Sequence, residues 1–539
     1  MSTTARWSCG VANACWQASN LVGSRRFHDA LRAPAEAQRA VLRRQLARDG
    51  DSRFGQTHDF GALRDYQDFA RRVPLQEYTH VAPYIARIQA GEQEVLCCDD
   101  VTHLAPTSGS SGARKLIPFT STLSRAFDAA VAPWMTDLAR QRPLIVGGPA
   151  YWSVSPLSDA DEARESTVPV GFADDAEYLG GAKAWLVRQL LAVPSSVRHV
   201  RDEGDFWRLT LLALLRQREL RLISVWHPSF LELLAQAALP DWETLTDAVA
   251  SGANPYESAL PLHARAAWRT RPNPGRASEL QRTGARDWPR WWPRLQLVSC
   301  WGEQAAEPGW HRLAQLFRAR NARVLVQRKG LLATEGVVTV PLGDECPLAV
   351  CSHFFEFLDD SGALRLAHEL ERGKRYEVVL SNGAGLWRYR LGDVVECSGH
   401  LRATPSLRFL GRAGHVSDLR GEKLSEPFVA DALRSLWGNE GPPRVAYLRA
   451  RDDGVAAGYE LLLSDDADDA VRQHAGDRLE ARLQSNPHYA LARRLGQLVP
   501  LRVVLTDPET AHASLREWRG RLGDAKPHVL VASRDPVTR

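Results

Sequence analysis

Apolar residues along the chain follow two different periods. A helical period predicts helices over residues 25–50 and 205–220. Short, nearly continuous apolar runs at 222–226, 294–303 and 322–329 are typical of strands. Because helices alternate with strands in this way, the pattern predicts an α/β layer structure.

The pattern changes to strands and turns from residue 376 to 410, and the composition shifts just after it. Residues 411–426, GRAGHVSDLRGEKLSE, are polar and rich in glycine, which is typical of a linker. We therefore predict an N-terminal domain over 1–412 and a C-terminal domain over 413–539, with a hinge at about 411–426.

The segment beyond this hinge has the pattern of a compact α+β unit. Strands are predicted at 444–451, 459–464 and 501–506. A helix is predicted at about 467–484, where apolar residues recur every four positions, and the aspartates of 465–469 suit its N-terminus. The C-terminal domain is thus expected to fold around its own small sheet.

Composition limits the class of protein and its partners. A chain of 539 residues with 44% hydrophobic and 24% charged residues is expected to fold as two or more domains. The balance of 68 basic against 64 acidic residues argues against nucleic acid or an anionic membrane as the main partner, so we expect the partners to be small molecules. We also expect a monomer. No run of 18 apolar residues and no apolar leader is present, which predicts a cytoplasmic protein.

The spacing of the eight cysteines predicts reduced thiols and no zinc site.

Residues 106–120, PTSGSSGARKLIPFT, are the first candidate for chemistry. Gly109 and Gly112 would let the backbone approach a ligand closely, while the surrounding hydroxyl and amide groups would donate to phosphate oxygens. Lys115 would add a positive charge. The spacing differs from the Walker pattern, so an ordinary polar turn remains the alternative at this point.

Three shorter stretches add further candidates. Thr334 and Glu335 lie in LLATEGVV, where the glutamate is either a solvated turn residue or a ligand of Mg²⁺. Asp393, in YRLGDVV, is either a turn aspartate or an acceptor for ribose hydroxyls. Lys423 follows in GEKLSE. Only six of the 68 basic residues are lysine. Each lysine is therefore either present by chance or required as a compact positive charge that arginine would not replace.

Taken in order, these stretches resemble a known pattern. The segments PTSGSSGARKLIPFT, LLATEGVV, WRYRLGDVVECSGH, LRFLGRAGHVSDLRGEKLSE and GDAKPHVL are similar in order and spacing to those of the adenylate-forming superfamily. Within it, the chain resembles the Gretchen Hagen auxin-responsive acyl-acid amido synthetases over nearly its whole length. Two features depart from the plant members: a phosphate loop one residue shorter, and Thr334 in place of the usual serine.

The resemblance implies a large N-terminal domain of β-sheets, helices and a small β-barrel, with a mobile C-terminal lid. It also implies that ATP and Mg²⁺ activate a carboxylic acid as its acyl adenylate, which an amine such as an amino acid then attacks. Glu335 would meet Mg²⁺ with Thr334 beside it, and Asp393 would bind the ribose. The other residues implied at the ATP and adenylate site are Thr107, Ser108, Gly109, Ser110, Ser111, Gly112, Lys115, Arg412, Lys423 and, from the lid, Lys526.

Two other functions remain open from the sequence alone. An acyl-CoA ligase would share every ATP motif and differ in its acceptor, and a non-catalytic adenylate-binding protein would keep the fold. Intact Lys115, Glu335 and Asp393 argue against the second. The acid itself is not encoded in any motif, although the aromatic content of residues 121–290 allows a flat or apolar acid.

Overall fold

The computed structural model describes most of the chain, and all structural statements below concern these residues. They are 3–106, 115–153, 166–170, 179, 181–303, 306–413, 416–417, 419–420, 422, 424–437, 443, 445–452, 456–465, 467, 469–494, 497–507 and 529–531. The predicted phosphate loop (107–112), Lys423 and Lys526 lie outside them. Among the helices of these ranges, none combines the length and apolarity needed to cross a membrane.

Five helices open the chain: α1 (Thr3–Ala30), α2 (Pro34–Asp49), α3 (Arg53–Thr57), α4 (Tyr66–Arg72) and α5 (Tyr78–Gln89). The single helix predicted over 25–50 is wrong, because the helix breaks between Ala30 and Pro34. Proline disfavours helical backbone at the residue before it, and Ala33 is accordingly non-helical. Pro34 then starts the next helix, where its missing N–H costs nothing.

An antiparallel hairpin of β1 (Val101–Pro106) and β2 (Leu116–Thr120) frames the predicted phosphate loop. This confirms the prediction that both flanks of the loop are extended. Thr120 caps the following helix, α6 (Ser121–Gln141), by accepting a hydrogen bond from the Leu123 N–H at 3.1 Å.

A four-stranded parallel sheet forms the centre of the N-terminal part. Its strands, adjacent in chain order, are β3 (Ala150–Trp152), β4 (Leu222–Ser224), β5 (Leu297–Cys300) and β6 (Leu325–Arg328). The helices around it are α7 (Gly181–Arg188), α8 (Glu203–Arg216), α9 (Pro228–Ala237), α10 (Trp242–Ser251), α11 (Pro274–Thr283) and α12 (Glu307–Arg320). The α/β alternation predicted from the apolar runs is confirmed.

After β6 the chain forms a short hairpin, β7 (Leu332–Ala333) and β8 (Gly336–Val337), and then a five-stranded antiparallel sheet. The strand order of that sheet is β10-β9-β11-β12-β13. Its strands are β9 (Phe354–Asp359), β10 (Leu364–Leu366), β11 (Arg375–Ser381), β12 (Tyr389–Leu401) and β13 (Thr404–Arg412).

The C-terminal part has its own mixed sheet, of order β18-β17-β16-β19, and its own buried apolar cluster from Leu424 to Leu530. This core supports the predicted lid unit, while the boundary between 412 and 413 stays a prediction. The elements here are β14 (Val416–Ser417), β15 (Leu424–Ser425), α13 (Glu426–Arg434), β16 (Ala446–Asp452), β17 (Ala457–Ser464), α14 (Asp469–Leu483), α15 (Pro487–Arg494), β18 (Arg502–Thr506) and β19 (Leu530–Val531).

Candidate functional site

Glu335 lies at the tip of the β7–β8 hairpin, in the turn that it forms with Thr334. Only 6% of Glu335 is exposed, and burial raises the pKa of its carboxyl group. The nearby charges of Arg412 and Lys115 act in the opposite direction, whereas that of Asp393 raises the pKa further. The carboxyl group therefore lies in a buried site where two cations and a second carboxylate meet.

Two buried side chains hold this hairpin in place. The Asn382 side-chain amide donates to the backbone carbonyl of Glu335 at 2.7 Å. His353 Nε2 accepts the Val337 N–H at 3.2 Å on the opposite strand. The ring lies so close to Gly336 that any side-chain carbon there would be 2.4 Å from Nε2. Glycine is thus required at 336, and the backbone of Glu335 is fixed from both sides.

Because His353 is fully buried, its pKa is lowered to about 3. An unfolded histidine titrates near about 6.5, so below that pH the unfolded chain takes up a proton that the folded chain refuses. This contribution to stability is complete above pH 6.5 and is lost progressively as the pH falls toward 3. We expect His353→Gln, which keeps an acceptor but does not titrate, to reduce the loss of unfolding free energy between pH 7 and 4.5 by about 2 to 3 kcal/mol.

Urea titrations of both proteins at the two pH values measure this difference. Equal losses in the wild type and the variant would contradict the assignment of His353 as a buried neutral imidazole.

Asp393 and Arg412 face each other across β12 and β13, where they form a register pair. Arg412 Nε lies 3.3 Å from Asp393 Oδ1, and the Asp393 charge raises the pKa of the guanidinium. Asp393 is fully buried, whereas 32% of the Arg412 side chain is exposed. Gly392 precedes the aspartate with φ of +76°, a left-handed conformation that favours glycine. Glu335 also raises the pKa of Arg412, which joins the hairpin and the strand pair in one site.

The start of β12 is fixed by a buried ion pair. Arg388 has a left-handed backbone, φ 46°, which is uncommon for a residue with a side chain. Its guanidinium binds Glu356 at 2.8 Å and donates to the carbonyls of Ala70 and Val73 on and after α4. These contacts hold the strained residue and set the position of the strand that carries Asp393.

Lys115 directly precedes β2, and its Nζ lies 5.6 Å from the centre of the Tyr78 ring. The Tyr78 hydroxyl accepts the Leu116 N–H at 2.8 Å, which ties the first residue of α5 to the first residue of β2. The lysine charge lowers the pKa of Glu335. Lys115 therefore faces the same site from the hairpin that frames the predicted phosphate loop.

Three of the residues predicted from the sequence, Lys115, Asp393 and Arg412, lie close enough to a fourth, Glu335, to influence its pKa. Thr334 shares the hairpin tip. The loop residues Thr107, Ser108, Gly109, Ser110, Ser111 and Gly112, and the lysines at 423 and 526, lie outside the described residues. Sequence analysis missed Asn382, His353 and Tyr78, whose contacts depend on tertiary structure.

Two family profiles match the chain. The profile described as the GH3 family N-terminal domain matches residues 23–321, and that of the GH3 family central domain matches residues 346–412. The first covers more than half of the chain, and the second ends at Arg412, the last residue of β13.

Individual relatives agree with these profiles. A probable indole-3-acetic acid-amido synthetase, GH3.12, of Oryza sativa subsp. japonica is 27% identical over 471 residues, covering 77% of this chain and 75% of the relative. A jasmonoyl–L-amino acid synthetase, GH3.5, of the same organism is 25% identical, covering 88% of each chain. The structure of the AtGH3.15 acyl acid amido synthetase in complex with 2,4-DB superposes on this chain with a TM-score of 0.81 at 18% sequence identity. The superposition covers 96% of this chain and 95% of that chain, so the two share a fold. The chain therefore belongs to the GH3 family.

Proposed function

We propose that this chain uses ATP and Mg²⁺ to adenylate a small carboxylic acid and then transfers the acyl group to an amino acid. The observation that carries the proposal is the meeting of Lys115, Glu335, Asp393 and Arg412 around one buried site. Two carboxylates and two cations together suit a nucleotide with its metal, because phosphates need positive charge and a metal ion needs oxygen ligands.

In the first half-reaction, a carboxylate oxygen of the acid attacks the α-phosphorus of ATP and pyrophosphate leaves. Two anions must approach each other, so the main task of the protein is positioning and charge stabilisation. Lys115 and Arg412 supply positive charge, while amide groups of the predicted loop at 107–112 would donate to phosphate oxygens. Asp393 would accept the ribose hydroxyls.

The site also fits a magnesium ion. Mg²⁺ prefers carboxylate, phosphate and water oxygens and usually takes only one or two protein carboxylates. Glu335 would supply one of these, and its buried carboxyl group, whose pKa is raised by that burial, gains from a nearby cation. When bound, the metal would neutralise charge on the phosphates. Asn382 binds the Glu335 carbonyl and His353 binds the Val337 N–H, and together they hold the hairpin for this role.

In the second half-reaction, an amine attacks the carbonyl carbon of the acyl adenylate, the bond from that carbon to the phosphate oxygen breaks, and AMP leaves. The name of the second relative, a jasmonoyl–L-amino acid synthetase, supports an amino acid as the amine. A thioester-forming reaction with coenzyme A would use the same first step, so the acceptor must be tested directly.

Exchange of labelled pyrophosphate into ATP, measured across a panel of carboxylic acids, tests the first half-reaction. Mass spectrometry of reactions containing either the twenty amino acids or coenzyme A then identifies the product. Acid-dependent exchange followed by an amide product is expected. Exchange followed by a thioester alone would replace the amide assignment, and binding of ATP without exchange would indicate a non-catalytic adenylate-binding protein.

We expect Asp393→Ala to weaken ATP binding by about 1.5–3 kcal/mol, the range for hydrogen bonds that involve a charged group. Part of this loss would come from Arg412, which would be left without the carboxylate 3.3 Å away. Isothermal titration calorimetry with ATP measures the change. Asp360→Ala, at an exposed turn between β9 and β10, is the matched control. An unchanged ATP affinity in Asp393→Ala would remove the ribose contact from the proposal.

A further inference from the structure

The N-terminal and C-terminal parts of the chain meet along helix α13. Its apolar side chains, among them Val429 and Leu433, pack into the buried cluster of the C-terminal part. The same helix contacts strand β13 of the N-terminal part, where Pro427 lies against Gly411. Among the residues that the structure describes, no hydrophobic cluster combines side chains from both parts. A contact without a shared apolar core is typical of domains that move relative to each other.

An ion pair joins the two parts beside this contact. Arg434 is the last residue of α13, and its Nε lies 3.8 Å from Oε2 of Glu307, the first residue of α12. The two side chains are 24% and 22% exposed, respectively, so water still reaches both charges. A pair of this kind shifts an equilibrium by only about two- to fivefold. It can therefore favour one orientation of the C-terminal part without fixing it.

Each partner of this ion pair also has a second partner in its own part of the chain. Glu307 Oε1 accepts a hydrogen bond from Arg328 at 3.1 Å, and the Arg328 guanidinium lies 4.4 Å from the centre of the Trp310 ring. Arg434 lies 3.5 Å from Asp431, one turn earlier in α13. Separation of the two parts would thus leave neither charge buried without a partner, which is the costly case. The contact can break and form again.

A neighbouring arginine opposes the same contact. Burial lowers the pKa of the Arg434 guanidinium, and the positive charge of Arg408 on β13 lowers it further, whereas Glu307 raises it. Arg408 has its own partner, Glu396, at 3.0 Å. Attraction by Glu307 and repulsion by Arg408 act on one guanidinium, so a small difference holds the two parts together. An orientation held by a small difference can be left and regained within a reaction cycle.

We propose that Glu307 and Arg434 form a latch, an ion pair that holds the C-terminal part in the orientation of this structure and breaks between the two half-reactions. The inference rests on the proposed function. In the first half-reaction the site must hold ATP and release pyrophosphate, and in the second it must admit an amine, so one orientation does not suit both. Arg434 is thus a positioning residue, which acts through the orientation and contacts no substrate.

A measurement without substrate tests the latch itself. A donor dye on Cys15, the exposed cysteine of α1, and an acceptor on Gln473→Cys, at an exposed position of α14, report the orientation by single-molecule energy transfer. Arg434→Met should reduce the population with the wild-type transfer efficiency about two- to fivefold. Arg434→Glu, which brings like charges together, should reduce it about tenfold. Arg482→Met, which removes an exposed arginine paired with Asp431, is the matched control.

The two half-reactions supply a second readout. In Arg434→Met, the ratio of acid-dependent pyrophosphate exchange to amide formation from a supplied acyl adenylate should change by about two- to fivefold. Because salt screens a partly exposed ion pair, high salt should shift the wild-type ratio in the same direction and leave that of the variant unchanged. A purely structural role would lower both rates equally and leave the ratio as it is.

Each outcome decides for or against the latch. Unchanged energy transfer in Arg434→Met and Arg434→Glu would overturn it. Changed transfer with an unchanged ratio of the half-reactions would also overturn it, because the orientation would then not matter to the reaction. Changed transfer in a chain whose wild type exchanges no pyrophosphate would support the ion pair as the contact that sets the orientation and would count against the proposed adenylation. Arg434→Met keeps the test informative if Arg434→Glu fails to fold.

Discussion

Replacing Glu335 with glutamine should lower acid-dependent pyrophosphate exchange by about 10²-fold or more, the scale for losing one preorganised electrostatic contact in an active site. Glutamine keeps the shape of the side chain, and the contacts that Asn382 and His353 make to the hairpin are to its backbone. The fold should therefore persist while the charge is lost. Initial exchange rates at saturating ATP, with thermal unfolding as the check on folding, measure the effect.

The control is Glu345→Gln, which removes the charge of an exposed turn glutamate ten residues along the chain. Because Glu335 is assigned to the metal, its variant should also need more Mg²⁺ to reach half its maximal rate. Exchange close to that of the wild type would remove Glu335 from the mechanism. A lower rate with unchanged Mg²⁺ dependence would keep the residue but reassign its role.

Replacing Lys526 with alanine should affect the two half-reactions differently. The residue lies more than 100 positions beyond the predicted hinge, outside the described residues, and the family resemblance implies that it approaches the adenylate from the lid. If it contacts the phosphates only in the adenylating position, its loss weakens that transition state alone. Pyrophosphate exchange should fall by about 10²-fold or more, and amide formation from a supplied acyl adenylate should change little.

Both half-reactions must be measured on the same preparations, with Lys374→Ala as the exposed control. Equal loss in the two half-reactions would contradict a role confined to one position of the lid. No loss in either would leave Lys526 as an ordinary surface residue.

Local patterns were sufficient to predict much of the fold. The strands Leu222–Ser224 and Leu325–Arg328 lie within the short apolar runs 222–226 and 322–329 that the sequence indicated as strands. The break before Pro34 was missed because the apolar period continues across it, although proline chemistry could have indicated the end of the helix.

The residues of the candidate site also fall into two groups: those that sequence motifs indicate and those that only tertiary structure brings to the site. Glu335 lies in a turn between two short strands and Asp393 lies within β12, and sequence motifs indicate both. Asn382 and His353 reach the hairpin across 47 and 16 residues, respectively, and no local pattern encodes such contacts. The pairing of Ser224, Ser299 and Gln327 on neighbouring strands of the parallel sheet could not be predicted either, because it depends on the strand register.

The most direct test of the central claim follows the oxygen atoms of the acid. The acid identified in the exchange panel would be labelled with ¹⁸O in both carboxylate positions and incubated with ATP, Mg²⁺ and the accepted amino acid. An acyl adenylate places one carboxylate oxygen between carbon and phosphorus, and amine attack then breaks the carbon–oxygen bond. Mass spectrometry should therefore find one ¹⁸O in AMP and one in the amide product. Unlabelled AMP, or the formation of ADP with ¹⁸O in inorganic phosphate, would contradict the account.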